Sequence, residues 1–157
     1  MIECELAVRI GRPLPTAPTP YTAESVKPAV SALMPAFELI DDRQADYKSA
    51  QALSLIADNC WNAGVVLGAE IALEPTMSLS RIAGTLDING QPGGTGTTDD
   101  PLAALAWLAN LAAGHGQALQ PGMVVITGSV IPTLSIEPGD QFVFRLEGVG
   151  SVQLRAV

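Results

Sequence analysis

Residues 2–10 read Ile2-Glu3-Cys4-Glu5-Leu6-Ala7-Val8-Arg9-Ile10. Ile2, Cys4, Leu6, Val8 and Ile10 take every second position, with Glu3, Glu5, Ala7 and Arg9 between them. Successive side chains of a strand point to opposite faces, so this alternation predicts a half-buried strand. Its other face carries two carboxylates two residues apart, with Cβ atoms roughly 6 to 7 Å from one another.

The rest of the chain is read outward from that strand. Pro13, Pro15, Pro18 and Pro20 enforce a loop, because each fixes φ and removes a donor. Thr22 is placed to cap a short helix with Val26, Val30 and Leu33 on one face. A second strand is expected at Ala36–Ile40, where Glu38 stands between Phe37 and Leu39. Residues 48–57 read as a helix with Ala52, Leu55 and Ile56 facing inward, and Asp58-Asn59 as its end. Further strands are expected at 64–67, 77–89, 124–127, 142–147 and 152–156, with a loop over Gln91–Gly96. Asp100 as N-cap and Pro101 at the first helical position open the clearest helix, Leu102–Ala113, which Gly114 and Gly116 stop. Trp107 on that helix reads as core packing. Many short strands and about three helices without strict alternation point to an α+β fold built on a bent, mixed or antiparallel sheet.

Composition narrows the function. The chain has 157 residues, enough for one domain, and 48% apolar residues to fill one core. Net charge is −8 with eight scattered Lys and Arg, which excludes the clustered cations of a nucleic-acid binder and disfavours anionic membrane surfaces. No apolar run reaches the roughly 18 residues of a membrane span, so the expectation is a cytoplasmic protein without membrane association. Cys4 and Cys60 form no disulfide framework or zinc pattern. His115, the sole histidine, lies between Gly114 and Gly116 at a helix end, where it meets the negative helix terminus.

Glu3 and Glu5, joined by Glu38 from a neighbouring strand, would make a set of three carboxylates suited to a hard divalent cation. The Glu-x-Glu pair alone would equally serve as the solvated face of its strand.

Other stretches bear on that choice. Glu3-Cys4-Glu5 is followed by Pro35-Ala36-Phe37-Glu38 with Arg43, then Asp58-Asn59 with Gly64 and Gly68, then Gly94-Thr95-Gly96. Pro101-Leu102-Ala103-Ala104-Leu105-Ala106-Trp107-Leu108-Ala109 and Gly122–Gly128 follow, and the chain closes on Gly139-Asp140 and Glu147-Gly148-Val149-Gly150-Ser151-Val152. In order and spacing this resembles the 2-keto-4-pentenoate hydratase and 4-oxalocrotonate decarboxylase branch of the fumarylacetoacetate hydrolase superfamily, in its C-terminal domain. The resemblance implies a β-rich roll of mixed sheets with flanking helices. It implies Glu3, Glu5 and Glu38 as ligands of Mg²⁺ or Mn²⁺, and Asp58, Asn59, Thr127 and Gly128 as segments bordering a site for a small 2-oxo acid. The expected assembly is a homo-oligomer, with another subunit covering the face of Glu3 and Glu5.

The sequence also departs from the pattern. Family members carry a segment before the Glu-x-Glu strand that supplies a Lys and an Asp for acid–base work, and Met1 stands directly before the strand here. Cys60-Trp61 follows Asp58-Asn59 where the family has a Ser, and Asp99-Asp100 stands where it often has Gly-His. No acid–base residue is therefore assigned. A hydratase is the first expectation; a decarboxylase, or a non-catalytic member serving as a partner subunit or ligand-binding module, is the alternative.

Overall fold

The computed structural model describes residues 1–17 and 20–157, so the expectation for Pro18 lies outside the described residues. Strand β1 (Ile2–Ile10) runs antiparallel to β2 (Val30–Ile40) on one side and to β7 (Val124–Leu134) on the other. β3 (Asn62–Leu67) and the two-residue β4 (Ile71–Ala72) pair with the outer edge of β2 and complete a five-stranded sheet. A second sheet has the order β6-β5-β8-β9, from β5 (Ala83–Ile88), β6 (Gln91–Thr97), β8 (Gln141–Leu146) and β9 (Gly150–Arg155). Both sheets are antiparallel throughout the described residues, which takes the antiparallel alternative over the mixed one. Among the described residues three α-helices flank them: α1 (Ala23–Val26), α2 (Ala52–Ala57) and α3 (Pro101–Gly114). None of the described helices is long and apolar enough to cross a membrane.

The even-numbered side chains of β1 are all buried, as the alternation required. They join one core with Phe37 of β2 and Phe142 and Phe144 of β8. The Phe37 ring meets those of Phe142 and Phe144 at 6.4 and 6.1 Å between centroids, joining the two sheets. The opposite face of β1 is less open than a half-buried strand predicts. Ala7 packs there with Met34 and Ala36, against Val124 and Ile126, and Glu5 is also buried.

Several expectations are corrected. Thr22 does cap α1, accepting from the Ser25 amide, but the helix ends at Val26. Pro28 lies in a 3₁₀ turn at Lys27–Ala29, and Val30 and Leu33 belong to β2, which starts six residues before the expected Ala36. A strand covered on both faces reads as a continuous apolar run, so its period was invisible. The expected 48–57 helix shrinks to α2, because Asp46 holds a turn by accepting from the Lys48 amide. Ala52 and Ile56 are exposed rather than inward, and Leu53 is 78% exposed. Trp107 is 66% exposed rather than in the core; Leu105 and Ala109 are the residues α3 buries.

The 77–89 strand is confined to β5, since Arg81 adopts φ 63° and the Thr98 hydroxyl ties down the preceding loop at Leu79 and Ile82. The Gln91–Gly96 stretch is strand β6, not a loop. Asn89 and Gly90, both at positive φ, turn β5 back into it. Its glycines serve close packing: a Cβ on Gly96 would lie 1.8 Å from the Val130 carbonyl oxygen of β7.

Candidate metal centre

The register of β1 on β2 sets Glu3 directly opposite Glu38, and opposed residues share a face. Glu5 follows Glu3 on that face one pleat along. Carboxylate oxygens of Glu3, Glu5 and Glu38 all lie within 4.8 Å of one another. Glu3 and Glu38 stand 35 positions apart in sequence, and only sheet pairing brings them together.

β7 supplies what holds them. Its register against β1 shifts between Ile2 and Cys4, between Cys4 and Glu5, and again between Glu5 and Ala7. Each shift places an extra β7 residue opposite β1, and such bulges re-aim side chains and amides. The Thr127 and Gly128 amides donate to Glu5 Oε2 at 3.1 and 2.7 Å, and the Thr133 hydroxyl donates to Glu3. Gly128 adopts φ 118°, a conformation that a side chain would strain. From β3, Asn62 Nδ2 donates to Glu38 Oε1 at 2.7 Å.

The electrostatics are those of carboxylates crowded together and partly buried. Glu5 is only 2% exposed, and its pKa is raised from 4.5 to about 7, first by burial and then by the charges of Glu38 and Glu3; the two amides oppose the rise. Cys4, on the core face of the same strand, is pushed up to about 12 by burial and by Glu5 and Glu3, which leaves its thiol protonated and inert. Among the described residues the ion pairs of Arg9, Arg43 and Arg145 go to Glu70, Asp58 and Asp87, and none goes to the three glutamates. Three converging carboxylates without a cationic partner fit a hard divalent ion, which takes oxygen ligands and leaves positions for water or ligand.

A cavity of about 420 Å³ opens over Glu3 and Glu38, lined also by Met1, Ile40, Tyr47, Cys60, Trp61 and Thr133. Of the residues that the sequence assigned to the site border, Thr127 and Gly128 reach Glu5 through their backbone amides. The Thr127 hydroxyl donates to the Leu6 carbonyl instead. Asp58 pairs with Arg43, Asn59 donates weakly to the Asn62 carbonyl at 3.4 Å, and neither lines the cavity. The next two residues, Cys60 and Trp61, line it instead. Asn62, Thr133 and Tyr47 escaped the sequence reading, because no spacing within their own strands or loops marks them and only cross-strand pairing brings them near.

Residues 1–157 match the family model described as Fumarylacetoacetate (FAA) hydrolase C-terminal. The chain is 31% identical over 156 residues to a 2-keto-4-pentenoate hydratase of Paraburkholderia xenovorans strain LB400, covering 97% of this chain and 57% of that protein. It is 30% identical over 160 residues to a 4-oxalocrotonate decarboxylase of Pseudomonas putida, covering 99% of this chain and 60% of that one. The chain thus spans under two thirds of these relatives' length. Among solved structures, 4-oxalocrotonate decarboxylase from Pseudomonas putida G7, complexed with magnesium and adipate, superposes with a TM-score of 0.88 at 28% identity. The match covers 99% of this chain and 60% of that one.

Proposed function

The chain belongs to the fumarylacetoacetate hydrolase family, and from that membership we propose a divalent-metal-dependent lyase domain acting on a small 2-oxo acid, of the 2-keto-4-pentenoate hydratase kind. The observation that carries this reading is the convergence of Glu3, Glu5 and Glu38 beneath a cavity of ligand size. Similarity to both hydratases and decarboxylases supports the substrate class.

Glu3, Glu5 and Glu38 would hold Mg²⁺ or Mn²⁺, which when bound supplies Lewis acidity for charge developing on the oxygens of a 2-oxo acid. The chain's own residues prepare that site. Thr127, Gly128, Thr133 and Asn62 fix the carboxylates in place before any ligand arrives. Trp61 packs edge-on against Tyr47 at 5.0 Å, and both line the cavity. Two free cysteines accord with a reducing cytoplasm. The exposed apolar side chains of Trp107 and Leu53 accord with a homo-oligomer.

The test is a Mn²⁺ titration followed by electron paramagnetic resonance, with and without oxalate, on wild type and Glu38→Ala. Saturable binding that oxalate tightens and the variant loses is expected; no binding by wild type refutes the reading.

A second reading is a metal-binding member without turnover, used as a partner subunit or ligand-binding module. Its support is the cavity lining, which among the described residues offers no Lys or His to move a proton. Hydration of 2-hydroxypenta-2,4-dienoate by the purified protein would remove it.

A further inference from the structure

A second cavity, of about 440 Å³, lies past the end of β1 opposite to the three glutamates, and its volume is that of a small-molecule site. We propose that it binds a small organic monocarboxylate with an apolar body, held by Arg12 and Lys27. The proposal is independent of the metal-dependent reading above.

The backbone fixes the frame of this cavity. The Gly11 and Arg12 amides both donate to the Ala29 carbonyl, at 2.7 and 3.3 Å, which sets Arg12 against the 3₁₀ turn Lys27–Ala29. Lys27 Nζ donates to the Pro75 and Met77 carbonyls at 2.7 and 2.8 Å, tying that turn to the loop after β4. Pro28, Val30, Leu73 and Pro75 supply apolar walls. The two proline rings hold φ fixed, so this part of the wall needs little ordering when a ligand enters.

The charges select the ligand. The chain holds sixteen Asp and Glu against eight Lys and Arg, so carboxylates to pair each cation are in excess. Arg9, Arg43 and Arg145 each have one. Arg12 and Lys27 form no ion pair among the described residues, yet both line this cavity. Lys27 spends two of its three donors on neutral carbonyls, which orient the ammonium without cancelling its charge and leave one N–H for a ligand. The planar guanidinium of Arg12 matches a carboxylate with two parallel bonds. Glu24 also lines the cavity; its carboxylate accepts from the Thr22 hydroxyl at 2.8 Å, which holds its pKa below the ordinary value and keeps it charged. Two cations and one carboxylate leave the lining with a single positive charge in a protein of net charge −8. One bound carboxylate brings that lining to neutrality, and an apolar body attached to it covers the proline, valine and leucine walls. Inorganic phosphate would leave those walls uncovered.

The experiment titrates acetate, hexanoate and inorganic phosphate into the full chain at pH 7, followed by amide chemical shifts in NMR. Metal is first stripped on a chelating resin, so that the three glutamates hold no ion to attract a carboxylate. Hexanoate is expected to bind saturably, with shifts centred on Gly11, Arg12, Lys27 and Leu73. It should bind at least about tenfold tighter than acetate, through the apolar surface its added methylenes bury. Arg12→Gln should weaken hexanoate about tenfold, since a charge-assisted pair is lost, whereas Lys48→Gln, removing an exposed cation outside the cavity, should change nothing. Arg12 is exposed and its backbone bonds do not involve its side chain, so the variant keeps the fold, and an otherwise unchanged amide spectrum verifies this. No saturable shift, shifts centred on Glu38 and Trp61 instead, phosphate binding as tightly as hexanoate, or an Arg12→Gln variant that binds as wild type does would each overturn the proposal. None of these outcomes bears on Mn²⁺ binding by the glutamates.

Discussion

Replacing Glu5 with Gln isolates the cost of holding a carboxylate inside the sheet without its ion. Gln keeps an oxygen for the Thr127 and Gly128 amides and removes the charge. In metal-free protein the folded pKa of Glu5 is about 7, above its ordinary 4.5. Below 4.5 both folded and unfolded chains hold the proton, and the residue makes no pH-dependent contribution. Between 4.5 and about 7 the folded chain keeps a proton that the unfolded chain has released, so stability falls as pH rises. Above that window the loss is complete. At about 1.4 kcal/mol per pH unit, the total is roughly 3 kcal/mol. Urea unfolding in EDTA at pH 4.5, 6, 7.5 and 9 should therefore show Glu5→Gln gaining on wild type by roughly 3 kcal/mol across the series. Titrating groups remote from Glu5 are common to both proteins and cancel in the difference. A thousandfold excess of Mg²⁺ over its Kd at pH 8 should reverse the order, because an ion that binds only the folded state then adds about 4.1 kcal/mol. A difference between the two proteins that stays flat from pH 4.5 to 9 refutes the reasoning.

Asn62→Ala removes the donor that orients Glu38 and should weaken Mn²⁺ binding about 10- to 100-fold, read by titration; unchanged affinity would show that the bond orients nothing. Gly96→Ala drives a Cβ into the Val130 carbonyl and should cost about 3 kcal/mol in urea unfolding as β6 is pushed from β7. Cys60→Gly relieves a left-handed residue that is exposed to solvent, and should raise stability by about 1 kcal/mol, visible as a higher Tm.

Where the periodicity is local and one-sided, the sequence by itself determined the outcome. The buried face of β1 follows from Ile2, Cys4, Leu6, Val8 and Ile10, and the start of α3 from Asp100-Pro101, whose carboxylate does accept from the Ala103 amide. That Glu3, Glu5 and Glu38 could meet was also legible, through spacing together with resemblance. Only the tertiary structure decided the rest. β2 carries apolar residues on both faces because it lies inside the sheet, so its first half has no period to read. The glycines of β6 look like a loop until β7 lies against them, and Trp107 looks like core until α3 turns it outward. The supports of the site depend on register above all. Bulges in β7 aim Gly128 at Glu5 and bring Thr133 to Glu3, and the β2–β3 pairing brings Asn62 to Glu38. A strand's sequence fixes which way its side chains alternate, but the partner and register that give those side chains neighbours arise only when strands pair.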